Sequence, residues 1–144
     1  MTLKYAEDIK AKSIDSECPF NQAEKKNLFA FRFSSSDPSD SENYIPKFKL
    51  DVPKRTEGQE GKLSCGHFGL SMFDKKENAN KVLASFTPKI KKKRGWTHLS
   101  KGRLTEELGV CTEISKSGHF DFFEEQDTDL AKVFELIEEE GKDG

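Results

Sequence analysis

Residues 65–86 read CGHFGLSMFDKKENANKVLASF, and this stretch decides the fold. Its first part alternates: Phe68, Leu70 and Met72 fall on one side, and His67, Gly69, Ser71 and Phe73 on the other. A two-residue period is that of a strand, so a strand is expected over 65–73. The period then changes. Ala79, Val82, Leu83 and Phe86 recur at helical spacing. Asp74 stands where an N-cap would, with Glu77 three residues on as the other half of a capping box. Pro88 stops the helix, because its ring has no place in a helix interior.

Upstream, NLFAFRF at 27–33 puts Phe29, Phe31 and Phe33 on one face and Leu28, Ala30 and Arg32 on the other. A strand apolar on both faces belongs in the middle of a sheet, which would bury part of Arg32. SSSDPSDSEN at 34–43 is a loop by composition. Residues 44–50 alternate around Pro46 and read as an edge strand, since proline cannot donate to a ladder. A second loop is expected over 51–64.

Downstream, the basic run KIKKKR fills 89–94. After Gly95, strands are expected over 96–105, 110–115 and 119–124, with turn residues at 106–109 and 115–118. A last helix, capped by Asp127 or Thr128, would align Leu130, Val133, Phe134 and Ile137. Three strands and a helix, twice over, point to an α+β fold. Its sheet would be mostly antiparallel with five to six strands, and its two helices would follow the third strand and close the C-terminus. The expected layout is a polar, partly ordered segment at 1–26, one domain over 27–140 and a frayed tail at 141–144. Gly66-His67-Phe68 and Gly118-His119-Phe120 look alike, as a degenerate duplication would leave them.

Composition limits function. Of 144 residues, 35% are charged and 33% hydrophobic, and the net charge of −2 gives no field that draws the whole protein to nucleic acid or membrane. Twelve phenylalanines supply bulk that the few aliphatics do not. Cys18, Cys65 and Cys111 are odd in number and widely spaced, which reads as free thiols in a reducing compartment, and so as a cytoplasmic protein. Residues 1–10 lack the apolar region of a signal peptide.

Candidate chemistry is sparse. Cys65 with His67, and Cys111 with His119, invite a zinc reading, but closed zinc sites use short-spaced pairs and only one unusual C-x-H pair is present, so no metal is expected. A Cys65–His67 nucleophile pair has no helix N-terminus behind it to favour a thiolate. Phosphate-loop, nucleophile-elbow and H-E-x-x-H patterns are absent. Arg32, His67, Ser71 and Glu124 form the most organised set. The passage Gly69-Leu70-Ser71-Met72-Phe73-Asp74 into a helix containing Ala79 resembles the strand-to-helix passage of ADP-ribosyltransferase-like domains. That resemblance implies a nucleotide-acting site in which Arg32 and His67 hold a dinucleotide and Glu124 polarises a ribose. Lys91, Lys92, Lys93 and Arg94 beside Trp96 could contact phosphates, with the indole stacking on a base. On balance the sequence reads as a binding or regulatory domain without catalysis or a cofactor, with a partner protein favoured over nucleic acid.

Overall fold

The computed structural model describes residues 1–50 and 62–137. Three helices and seven strands are present among them: α1 (Ala6–Lys12), β1 (Ala23–Glu24), β2 (Leu28–Ser34), β3 (Leu70–Phe73), α2 (Lys76–Ser85), α3 (Pro88–Arg94), β4 (His98–Leu104), β5 (Gly109–Thr112), β6 (His119–Glu124) and β7 (Phe134–Leu136). The strands form one sheet in the order β1-β5-β6-β3-β2-β4-β7. Every pairing in it is antiparallel. The fold is therefore α+β with an antiparallel sheet, as expected, and β2 lies inside it between β3 and β4.

Side-chain alternation gives the sheet two apolar faces. Ala30, Leu70, Met72, Leu104, Phe120 and Phe122 pack on one, under Tyr44, Leu130 and Phe134. The opposite face carries two smaller clusters. Phe33 and Phe73 pack against Ala79 and Leu83 of α2. Val110 and Phe123 pack with Phe68, Phe48 and Ile9 of α1. The gap between these two clusters is the site described below.

Several local expectations are corrected. The strand expected at 65–73 begins late: Cys65–Phe68 is a 3₁₀ turn and only Leu70–Phe73 is strand. Gly66 and Gly69 weaken a strand, and a Cβ at Gly69 would press within 3.1 Å of the Phe123 ring. The edge strand at 44–50 is replaced by 3₁₀ turns at Ser41–Tyr44 and Lys47–Lys49 on either side of Pro46. Phe48 is buried there all the same, which is what the alternation detected. The C-terminal helix is absent; a 3₁₀ turn at Leu130–Lys132 leads into β7. Gly102 of β4 leaves a groove that the Phe134 ring fills, and pairing on the β4 edge outweighs the helical period. The Asp74–Glu77 capping box does not form: the helix starts at Lys76 without a side-chain cap. By contrast, the basic run is itself a helix, capped by Thr87, with Pro88 in its first turn and Gly95 left-handed after it.

The N-terminal 26 residues carry α1 and β1 and bury Leu3, Ile9 and Cys18. Cys18 and Cys65 form a disulfide, with Cα atoms 5.7 Å apart. This corrects the expectation of three free thiols and removes its support for a reducing compartment. The pairing joins residues 47 apart, so no local spacing announces it. Cys111 is the free cysteine, and burial pushes its thiol up to about 11. Among the described residues no helix is long and apolar enough to cross a membrane. The loop expected at 51–64 falls mostly, and the tail at 141–144 wholly, outside the described residues.

Candidate functional site: a cavity between two histidines

A cavity of about 570 Å³ opens on the helix-bearing face of the sheet. Strand register sets its floor: Ser71 pairs with Asp121, and Phe73 with His119, so these side chains share one face. Phe31 pairs with Phe73, which brings Phe33 to the same face. One wall is aromatic. Phe33, Phe86 and Trp96 stack on one another with ring centroids 5.2–5.4 Å apart. The other wall is the 3₁₀ turn, which contributes Gly66 and His67 beside Ser64.

Arg32 lines the cavity and is almost fully buried. The guanidinium donates to the carbonyls of Ser71 (2.8 Å) and Asn43 (2.9 Å). It also lies over the Tyr44 ring, 5.7 Å from the centroid. Its Nε has no hydrogen-bond partner. No carboxylate forms an ion pair with it among the described residues. Burial lowers the Arg32 pKa to about 10, against the opposing pull of Tyr44 and Glu124.

Two histidines face the cavity, each with a polar neighbour. His67 Nδ1 is 2.9 Å from Ser64 Oγ. His119 Nε2 is 3.7 Å from Asp121 Oδ1, and its ring meets Phe73 edge-on. Asp121 packs so close to Gly66 that a Cβ there would lie 3.2 Å from its Oδ2. Burial pushes the Asp121 carboxyl above the usual range, against the pull of His119, Lys47 and His67.

The structure thus brings Arg32, His67 and Ser71 to one cavity and leaves Glu124 out of its lining. Glu124 is buried on the other face, where Lys4 Nζ donates to it at 2.6 Å and also to the carbonyl of Thr128. Burial raises the Glu124 carboxyl, and the Lys4 contact opposes that. The basic run divides: Arg94 and Trp96 line the cavity, whereas Lys91, Lys92 and Lys93 do not. Cys65 is committed to the disulfide, so a Cys65–His67 nucleophile pair is withdrawn. No group of His, Cys, Asp or Glu among the described residues is arranged to hold a metal ion. The residues missed from sequence are His119 as the second histidine of the cavity, Asp121, Ser64 and Lys47. The signal that could have found the first was the repeated Gly-His-Phe. Comparison with protein-family models, curated proteins and solved structures finds no match to this chain.

Proposed function

We propose that this domain binds a small ligand that joins a planar ring to an anionic group. The observation that carries the reading is Arg32: a buried guanidinium lining an open cavity, its hydrogen bonds made to two carbonyls and no carboxylate within ion-pair distance among the described residues. An anion there would add a direct, hydrogen-bonded countercharge to the longer-range attraction of Glu124. The aromatic wall of Phe33, Phe86 and Trp96 suits a flat ring, and ~300–1,000 Å³ is the usual range for such pockets. Nucleoside phosphates have both parts. Thermal unfolding with a nucleoside monophosphate, the parent nucleoside and inorganic phosphate tests this. A ligand at a hundredfold excess over its dissociation constant stabilises the folded form by ~2.7 kcal/mol. The monophosphate should raise the midpoint most, and Arg32→Met should remove the gain. No shift with any of the three would defeat the reading.

A second reading keeps a protein partner, and one patch favours it. Phe29 is 47% exposed, with Lys101 Nζ 4.4 Å and the Arg103 guanidinium 5.4 Å from its ring centroid. The patch suits an acidic segment of another protein. Binding of a glutamate-rich peptide that disappears in Arg103→Glu would support this, and equal binding by both forms would oppose it.

A further inference from the structure

Both Gly-His-Phe segments deliver their histidine to the same cavity, although one is a turn and the other a strand. Each imidazole has a different neighbour. His67 uses Nδ1 on the Ser64 hydroxyl, which leaves Nε2 as the nitrogen for chemistry. His119 turns Nε2 towards Asp121, which leaves Nδ1. A carboxylate balances an imidazolium, and a hydroxyl suits either form of the ring. The two rings therefore differ in the polar group each faces and in the nitrogen each leaves for the cavity. Arg32 and Lys47 add positive charge to the same cavity. Imidazole is the side chain that gives and takes protons near neutrality, and positioned pairs of this kind serve as general acid and base.

We infer that the cavity cleaves ribonucleotide phosphodiesters by internal transesterification. The inference rests on the ligand reading above and adds the reaction. His67 accepts the proton of the ribose 2′-hydroxyl as that oxygen bonds to phosphorus. The bond from phosphorus to the 5′-oxygen breaks, and His119 gives its proton to the departing oxygen. The products are a 2′,3′-cyclic phosphate and a free 5′-hydroxyl. The substrate supplies its own nucleophile, so the step needs no water, oxidant or added group. Arg32 and Lys47 face the charge that builds on the non-bridging oxygens. Trp96 and Phe86 hold a neighbouring base.

The full-length protein would be incubated with a ribodinucleotide in chelator-containing buffer, and the products resolved by chromatography. The matching deoxydinucleotide, which has no 2′-hydroxyl, would be tested for binding by thermal shift. The expected result is a cyclic phosphate product, a loss of about 100-fold or more in His67→Gln and in His119→Gln, and no loss in His98→Gln. His98 bonds Thr97 and does not line the cavity, so it controls for a contaminating nuclease. Melting curves of all three variants would show that they fold. Cleavage that persists equally in every variant overturns the inference. So does a deoxydinucleotide that binds while the ribodinucleotide stays intact, and in that case the ligand reading survives. If neither dinucleotide binds and none is cut, both fall.

Discussion

Gly66-His67-Phe68 and Gly118-His119-Phe120 are the same tripeptide in two physical settings. The first is a 3₁₀ turn, held by the disulfide at Cys65 and by the Ser64–His67 contact. The second opens β6, held by the ladder to β3 and by the ring contact with Phe73. Both bury the phenylalanine and leave the histidine half-buried at the cavity. Local sequence therefore fixed which side chain goes inward, while the tie to the rest of the molecule set the backbone. The 3₁₀ wall of the cavity depends on a covalent link and its strand floor on sheet pairing, and the two should fail separately.

Breaking the link should have the largest effect. Closing a loop across 47 residues of separation stabilises the fold by about 4 kcal/mol in the chain-entropy account. Urea unfolding of the oxidised protein, the reduced protein and Cys18→Ser should show that loss. Hydrogen exchange should quicken at Cys65–Phe68 and stay slow in β6. An equal loss of protection in both segments would refute the claim that wall and floor are held independently.

The two glycines should then differ. Gly118 has a φ of +82°, and a Cβ there would collide with Asn78 Nδ2 and Asp74 Oδ1. Left-handed backbone costs a residue with a side chain roughly 1–2 kcal/mol, whether or not those side-chain ends turn away, so Gly118→Ala should lose about 2 kcal/mol. Gly66 lacks that backbone demand. Its Cβ would meet Asp121 Oδ2 at 3.2 Å, the end of a side chain that can turn away. Gly66→Ala should cost under about 1 kcal/mol. Equal midpoints for the two variants in chemical denaturation would show that the segments are not held differently.

These contrasts also mark what could be read in the chain. The two-residue period found β2 and β3, because half-buried strands write their faces into the sequence, and turn residues at 106–109 and 115–118 marked off β4, β5 and β6. It misled where other forces produce the same pattern: Phe48 is buried from a 3₁₀ turn, and Phe134 from a strand inside a helical period. Arg32 was legible as an inward charge on an apolar strand, and His67 as a neighbour on the next strand. Glu124 was misplaced because alternation along β6 turns it away from the cavity and turns Asp121 towards it. The disulfide and the convergence of His67 and His119 on one cavity depend on placements far apart in sequence, which no local pattern encodes.

Removing Arg32 should separate binding from stability. Arg32→Met leaves the carbonyls of Ser71 and Asn43 without their donor, a cost of roughly 1–3 kcal/mol. Loss of a buried charge offsets much of that, so the net change should stay within about 2 kcal/mol. Both walls remain, and the stabilisation by a nucleoside monophosphate should vanish. If the variant still gains the full shift, the anion is held elsewhere.

Asp121 should give the smallest effect, and it joins the two segments, since it touches Gly66 and faces His119. Its carboxyl is raised in the folded state, chiefly by burial. The unfolded chain loses this proton first, at about pH 4. Between that point and the folded value the native state holds a proton the unfolded state has released, so stability falls as pH rises. Asp121→Asn has no such proton. Its stability relative to the native protein should therefore increase from about pH 4 towards neutrality. Denaturant titrations at several pH values would measure the difference. A change in the opposite sense would mean that the pull of His67, His119 and Lys47 outweighs burial, and that the carboxylate is a stabilising bridge between the strand floor and the 3₁₀ wall.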